Sequence, residues 1–171
     1  MAKIGIIGAG SWGIALSVLL HNNGHEITVW SILEDEINML KTEHEHKDKL
    51  PGVKLPEDMV FTTSLPEAIE GKDILVLAVP SPFTRSTSHN MKPYVADGQI
   101  IVNVAKGIEE HTLMTLSQII EEEVPQANVA VLSGPSHAEE VGRGIPTTVV
   151  IGAKNKKTAE MLQDVFMNKV F

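Results

Sequence analysis

Hydrophobic and polar residues change period along this chain in a regular way, short β-branched runs alternating with longer stretches whose apolar residues recur at helical spacing. The runs predict strands over Lys3–Ile7, Glu26–Trp30, Val60–Thr62, Ile74–Val79, Ile100–Val104, Val129–Leu132 and Thr147–Ile151. Helices are predicted over Trp12–Asn22, Leu33–Glu45, Leu65–Glu70, Thr84–Tyr94, Leu113–Glu123, His137–Val141 and Lys157–Asn168, the last opened by Asn155. Ile74-Leu75-Val76-Leu77-Ala78-Val79 is apolar at every position, so that strand must be covered on both faces. Strands of this kind alternating with helices imply an α/β domain, a doubly wound and mainly parallel sheet with helices on both sides. No Pro- or Ser-rich linker, repeat or low-complexity segment divides the sequence, so residues 1–171 read as one domain.

Composition narrows this picture. The chain has 171 residues, 43% hydrophobic and 21% charged, which excludes a disordered or collagen-like protein. A domain this long buries roughly 70% of the surface its unfolded chain exposes, so its core needs no metal or disulfide. There is no cysteine, which removes thiol catalysis and thiolate metal sites and fits a reducing compartment. A net charge of -8 has the wrong sign for a protein that binds a nucleic-acid backbone. The uncharged stretch Ile4 to Leu20 resembles a signal peptide or membrane span only superficially, because Gly5, Gly8, Gly10 and Gly13 interrupt it. Each would cost about 1 kcal/mol inside a continuous helix, whereas a strand, a turn and a helix accommodate all four.

That turn reads Gly8-Ala9-Gly10-Ser11-Trp12-Gly13, the G-x-G-x-x-G spacing, set between a strand and a helix in a βαβ unit of about 30 residues. In a Rossmann-like fold Gly8 permits the sharp turn, Gly10 lets a diphosphate approach the backbone, and Gly13 lets helix and strand pack closely. The free amides and positive dipole end of the helix then suit an anion. Trp12 either lies over a cofactor or belongs to the core. The acidic residue that usually ends the second strand of an NAD site, and the arginine of an NADP site, are both missing; Ser31 and Ile32 stand there. Glu34 and Asp35 follow, at a helix start where they also favour the dipole. The cofactor is therefore NAD or NADP, without a choice between them.

Three later stretches carry chemistry at strand ends. Val79-Pro80-Ser81 follows the fourth strand, and Ser81 there either caps the next helix or meets a ligand. Asn103-Val104-Ala105-Lys106-Gly107-Ile108-Glu109 offers a lysine beside a flexible glycine, able to meet a phosphate or polarise a carbonyl, or simply solvated. In Leu132-Ser133-Gly134-Pro135-Ser136-His137-Ala138-Glu139-Glu140 small residues allow close approach of a ligand, and Ser136 is either a phosphate donor or a helix cap.

Taken together, Gly8-Ala9-Gly10-Ser11-Trp12-Gly13, Val79-Pro80-Ser81, Ala105-Lys106-Gly107-Ile108-Glu109 and Leu132-Ser133-Gly134-Pro135-Ser136 resemble the nucleotide-binding half of the bacterial NAD(P)-dependent glycerol-3-phosphate dehydrogenases. The resemblance implies a cytoplasmic oxidoreductase that interconverts dihydroxyacetone phosphate and sn-glycerol 3-phosphate for glycerophospholipid synthesis, with NAD or NADP as cofactor. It implies cofactor contacts at Ser11, Trp12 and Ala138 beside the glycines Gly8, Gly10 and Gly13, substrate contacts at Gly134 and Ser136, and contact of Lys106 with both. It also implies a second, helical domain after residue 171 that carries the proton-transfer lysine, and a possible homodimer of the longer enzyme. Residues 1–171 alone are then expected to fold and bind cofactor, with little or no turnover. Ile32 departs from the family pattern, where a basic residue is common, and His137 stands where Phe is also common.

Other readings remain open at this point: a dehydrogenase acting on a hydroxy acid or sugar nucleotide, or a nucleotide-binding module without chemistry. Glu43-His44-Glu45-His46-Lys47 is expected to be a solvated helix end, because His44 and His46 would lie about 200° apart on a helix and could not share a metal. Glu121-Glu122-Glu123 is expected to be a solvated face, and Met39, Met114, Met161 and Met167 to pack a core.

Overall fold

The chain begins with β1 (Lys3–Ile7), crosses over through α1 (Ser11–Asn22) and returns as β2 (Glu26–Trp30), parallel to β1, in a computed structural model that describes residues 1–171. There follow α2 (Glu34–Glu43), β3 (Glu45–His46), β4 (Leu50–Lys54), β5 (Val60–Thr62), α3 (Leu65–Ile69), β6 (Ile74–Leu77) and α4 (Thr84–Met91). The remainder is β7 (Ile100–Asn103), α5 (Leu116–Glu123), β8 (Asn128–Ser133), α6 (Ala138–Gly142), β9 (Val150–Ala153) and α7 (Lys156–Phe166). Seven strands form one sheet in the order β5-β2-β1-β6-β7-β8-β9. All pair in parallel except β9, which runs antiparallel to β8 at the edge. The fold class expected from the hydrophobic pattern is therefore the observed one.

The alternation of side chains across the sheet explains why β6 is apolar throughout. Ile74 and Val76 belong to a core of 28 buried residues on one face, and Leu75 and Leu77 to a core of 13 on the other. On the larger side α1 buries Gly13, Ile14, Ala15, Leu16, Ser17, Leu19 and Leu20, seven of its 12 residues. The uncharged stretch is thus β1, a turn and α1; no helix is long and apolar enough to cross a membrane.

Several boundaries move, each for a local reason. α2 stops at Glu43 rather than Glu45, because His44 adopts the left-handed conformation (φ 46°) and closes the helix. The next residues form the small hairpin β3-β4, absent from the sequence reading, and the supposed solvated helix end is partly interior: His46 is buried at 2% exposure. α5 starts at Leu116, not Leu113, because Thr115 and Gln118 form a reciprocal capping box and Leu113 sits at φ 58° in the preceding turn. α4 ends at Met91 and passes into a 3-10 turn over Lys92–Tyr94. β6 ends two residues before Val79, and the last strand is Val150–Ala153 instead of Thr147–Ile151. Met161 packs on the core as expected, whereas Met167 is exposed beyond α7 and Met114 lies in the turn before α5. Glu121-Glu122-Glu123 is not merely solvated: Glu121 pairs with Lys154, and Glu122 and Glu123 with Arg85.

The topology fixes where a ligand can bind. From β1 the chain builds outward to β2 and β5, then returns to the other side of β1 with β6, β7 and β8. The strand order reverses between β1 and β6, and the crevice outside the carboxyl ends of such a pair is the general ligand position in open α/β sheets.

Candidate functional site

The loops leaving β1, β6, β7 and β8 meet at that crevice. They enclose a cleft of about 420 Å³ lined by Gly10, Ser11, Trp12, Ala78 to Ser81, Val104 to Lys106, and Ser136 to Glu139. Another cleft, of about 390 Å³, runs along β9 and α7 and contains none of the motif residues.

The glycines of the first turn divide into two kinds. Gly8 has φ +116°, and a Cβ on it would lie 2.9 Å from the Ala78 carbonyl carbon and oxygen; a Cβ on Gly13 would lie 2.1 Å from the Gly8 carbonyl oxygen. These two are required by backbone packing. Gly10 is different: a Cβ there would meet nothing within 4 Å. It is also the N-cap of α1, and no side chain bonds to the first amides of that helix. An open backbone beside uncapped amides at the positive end of a helix fits a dinucleotide diphosphate.

Trp12 joins two loops. Its indole Nε1 donates to the Val104 carbonyl at 3.1 Å while its ring packs against the larger core, so it serves the core and lines the cleft together. Lys106 is exposed, and its Nζ donates to the Ser136 carbonyl across the cleft at 3.3 Å. The Ser136 hydroxyl donates to the Gly134 carbonyl at 3.4 Å and does not cap α6, whose N-cap is the exposed His137. Ser81 likewise begins a 3-10 turn without capping it. Ala138 opens α6 and reaches the cleft wall. Gly134 does not line the cleft: the space of its missing Cβ is filled by the Thr148 carbonyl oxygen at 2.8 Å and Val149 Cα at 3.0 Å.

The carboxyl end of β2, where the adenosine ribose of a dinucleotide would lie, is organised around a buried acid. Glu36 accepts from Ser31, Lys49 and His46, the last at 2.8 Å. Burial pushes its pKa up, but the bonds from Lys49, Ser31 and His46 outweigh burial and hold it below the usual carboxylate value. Ser31 is thus committed to Glu36, while Ile32 beside it is 76% exposed and Glu34 and Asp35 project from the first turn of α2.

One ion cluster near the cleft was not foreseen. Arg85 on α4 donates from Nε and Nη2 to the two carboxylate oxygens of Glu109, at 2.7 and 2.8 Å, and from Nη1 to Glu122 and Glu123. Its bond holds the Glu109 carboxyl down at about 2, and the Arg85 guanidinium is in turn held above its ordinary value. Nothing in the sequence pairs residues 24 positions apart, though a charged residue two places after Gly107 in a strand-end loop was a signal available to reading.

A family model described as the NAD-dependent glycerol-3-phosphate dehydrogenase N-terminus matches residues 3–159. The chain belongs to that family. It is 66% identical over 171 residues to "Glycerol-3-phosphate dehydrogenase [NAD(P)+]" of Agathobacter rectalis, covering 100% of this chain and 51% of that protein. A protein of the same description from Fusobacterium nucleatum is 57% identical over 173 residues, with 100% and 52% covered. The chain spans about half the length of these curated relatives. Among solved structures, a glycerol-3-phosphate dehydrogenase from Coxiella burnetii superposes with a TM-score of 0.94 at 29% identity, over 99% of this chain and 52% of that one. The family's N-terminal part thus coincides with the Rossmann-like unit and its cleft.

Proposed function

We propose that this chain supplies the NAD(P)-binding domain and one wall of the substrate pocket of an sn-glycerol-3-phosphate dehydrogenase, which interconverts dihydroxyacetone phosphate and sn-glycerol 3-phosphate. The observation that carries this reading is the convergence of Ser11 and Trp12, Lys106, and Ser136 and Ala138 on one cleft at the reversal of strand order. In it, Gly10 and the first amides of α1 hold the cofactor diphosphate, with Ser11 and Trp12 beside it. When bound, the nicotinamide supplies or accepts the hydride. Lys106 sets a cation at the cleft mouth, where it attracts the substrate phosphate and stabilises negative charge developing on the carbonyl oxygen. Ser136 forms the side of the pocket toward β8. Lys106, the one lysine lining the cleft, is assigned to binding and charge stabilisation; by the family resemblance, the proton-transfer lysine is assigned to a second domain of the longer enzyme. The reading also implies a cytoplasmic enzyme of glycerophospholipid synthesis and a homodimer of the longer enzyme.

Titration of the chain with NADH and NADPH tests the reading, with Lys106→Ala in parallel. Saturable binding that Lys106→Ala weakens is the expected result. Binding of neither nucleotide removes the cofactor assignment, and binding indifferent to Lys106→Ala removes that lysine from the site.

A further inference from the structure

Arg85 uses every donor of its guanidinium. Nε and one Nη2 proton hold the two oxygens of Glu109, Nη1 holds Glu122 at 2.8 Å and Glu123 at 2.7 Å, and Nη2 also meets Met114 Sδ at 3.8 Å. The carboxylates come from different elements. Glu122 and Glu123 lie in the last turns of α5, whereas Glu109 lies in the loop after β7, three residues beyond Lys106. Three acids around one cation repel one another wherever that cation is withdrawn, and Glu109 is the one carried by a loop instead of a helix.

The segment between Glu109 and Lys106 leaves little slack. Gly107 sits at φ +130°, and a Cβ on it would stand 3.0 Å from Ser81 Oγ and 3.1 Å from Ser81 Cβ, so this backbone lies directly against the loop after β6. On the far side the turn is closed by Glu109 N–H donating to the Met114 carbonyl, Leu113 N–H donating to the Glu109 carbonyl, both at 2.9 Å, and an antiparallel bridge between Ile108 and Thr115. Lys106 itself is held only by its 3.3 Å bond to the Ser136 carbonyl. Its position is therefore set by its flanking backbone. On the amino side Asn103 holds it, bonding both the N–H and the carbonyl of Ala105. On the carboxyl side the Ile108–Thr115 bridge holds it together with the two-pronged pair, the side-chain tie of that segment to α4.

We propose that Arg85 is a positioning residue for Lys106: its fork on Glu109 clamps the loop after β7 to α4 and α5, and so holds the Lys106 ammonium at the mouth of the cleft. This rests on the assignment of Lys106 to the cofactor and substrate site. Arg85 touches neither ligand; a bidentate pair fixes direction as well as distance, which a lysine at the same place would not.

A double-mutant cycle on NADH affinity tests it, using Lys106→Ala, Arg85→Met and the two combined. Each single variant is expected to weaken NADH about tenfold, and the pair no more than either alone, because both remove the same placed ammonium. Hydrogen exchange is expected to quicken in residues 105–115 of Arg85→Met and to stay unchanged in residues 8–22. If Arg85→Met does not fold, Arg85→Lys keeps the charge and loses the fork; its affinity is expected to fall between the parent and Lys106→Ala. Losses that multiply in the double variant, or an Arg85 variant that binds like the parent while Lys106→Ala does not, overturn the proposal. A Lys106→Ala single variant with parental affinity refutes the assignment of Lys106 itself, before Arg85 is touched.

Discussion

Replacing Gly10 by alanine separates binding from folding. Gly10 has φ −65° and ψ 172°, a conformation alanine adopts freely, and its Cβ would touch no protein atom within 4 Å. Restricting the unfolded chain favours the variant by about 0.4–1 kcal/mol. Alanine is a poorer N-cap than glycine by a comparable amount, roughly 0.5–1 kcal/mol, so the two nearly cancel. The melting temperature should therefore stay within about 2 °C of the parent. The added methyl group occupies the space through which the diphosphate approaches the α1 amides. Loss of one charge-assisted hydrogen bond is worth about 1.5–3 kcal/mol, or about 10- to 150-fold in NADH affinity. Gly13→Ala is the contrasting control, since its Cβ would lie 2.1 Å from a backbone oxygen; overpacking of about 1–3 kcal/mol should lower its melting temperature by about 2–12 °C. Fluorescence titration with NADH and a thermal melt read both. Parental NADH affinity in Gly10→Ala would refute the placement of the diphosphate.

Two further outcomes follow from the end of β2. Ser31 is committed to Glu36 and Lys49 is paired there too, so a 2′-phosphate would meet Glu34 and Asp35 without a free cation. NADH should bind more tightly than NADPH, and Ile32→Arg should shift the ratio toward NADPH; an unchanged ratio on parallel titration would place the ribose elsewhere. Glu36 has a lowered pKa, so its stabilising contribution is complete above the usual carboxylate range and is lost as pH falls through its folded-state value. Glu36→Gln should cost about 1–3 kcal/mol at pH 7 and flatten the fall in stability that urea titration measures as pH drops below the usual carboxylate range; a variant as steep as the parent would show that other acids govern that fall.

Seven strands of the main sheet and the glycine turn could be read from the sequence because each depends on a pattern of neighbouring residues. The hairpin of β3 and β4 could not. Glu45 and His46 carry no β-branched pattern, and the buried His46 ring finds its partners in Glu36, ten residues earlier on α2, and in the Lys49 N–H. Periodicity cannot report a partner that tertiary structure supplies. The same limit hid the fork of Arg85 on Glu109 and the antiparallel turn of β9, while Trp12 packs against the core, one of its two readings, and its Nε1 donates to the Val104 carbonyl beside the cleft.

Glycines pose the sharpest form of this limit, because the letter is the same whether the space beside it belongs to a ligand or to the protein. Gly134 illustrates it. Its place in Ser133-Gly134-Pro135-Ser136 suggests close approach of a substrate, yet the volume of its missing side chain is taken by the Thr148 carbonyl and Val149 Cα on the segment leading into β9. Gly134→Ala would push that segment away before any substrate arrived. A fall in substrate affinity in this variant would therefore not by itself identify a contact. The expected outcome is a melting temperature lowered by about 2–12 °C, from about 1–3 kcal/mol of overpacking, with faster hydrogen exchange over residues 147–153. A variant that melted and exchanged like the parent, but had lost substrate affinity, would reverse this and give Gly134 to the ligand.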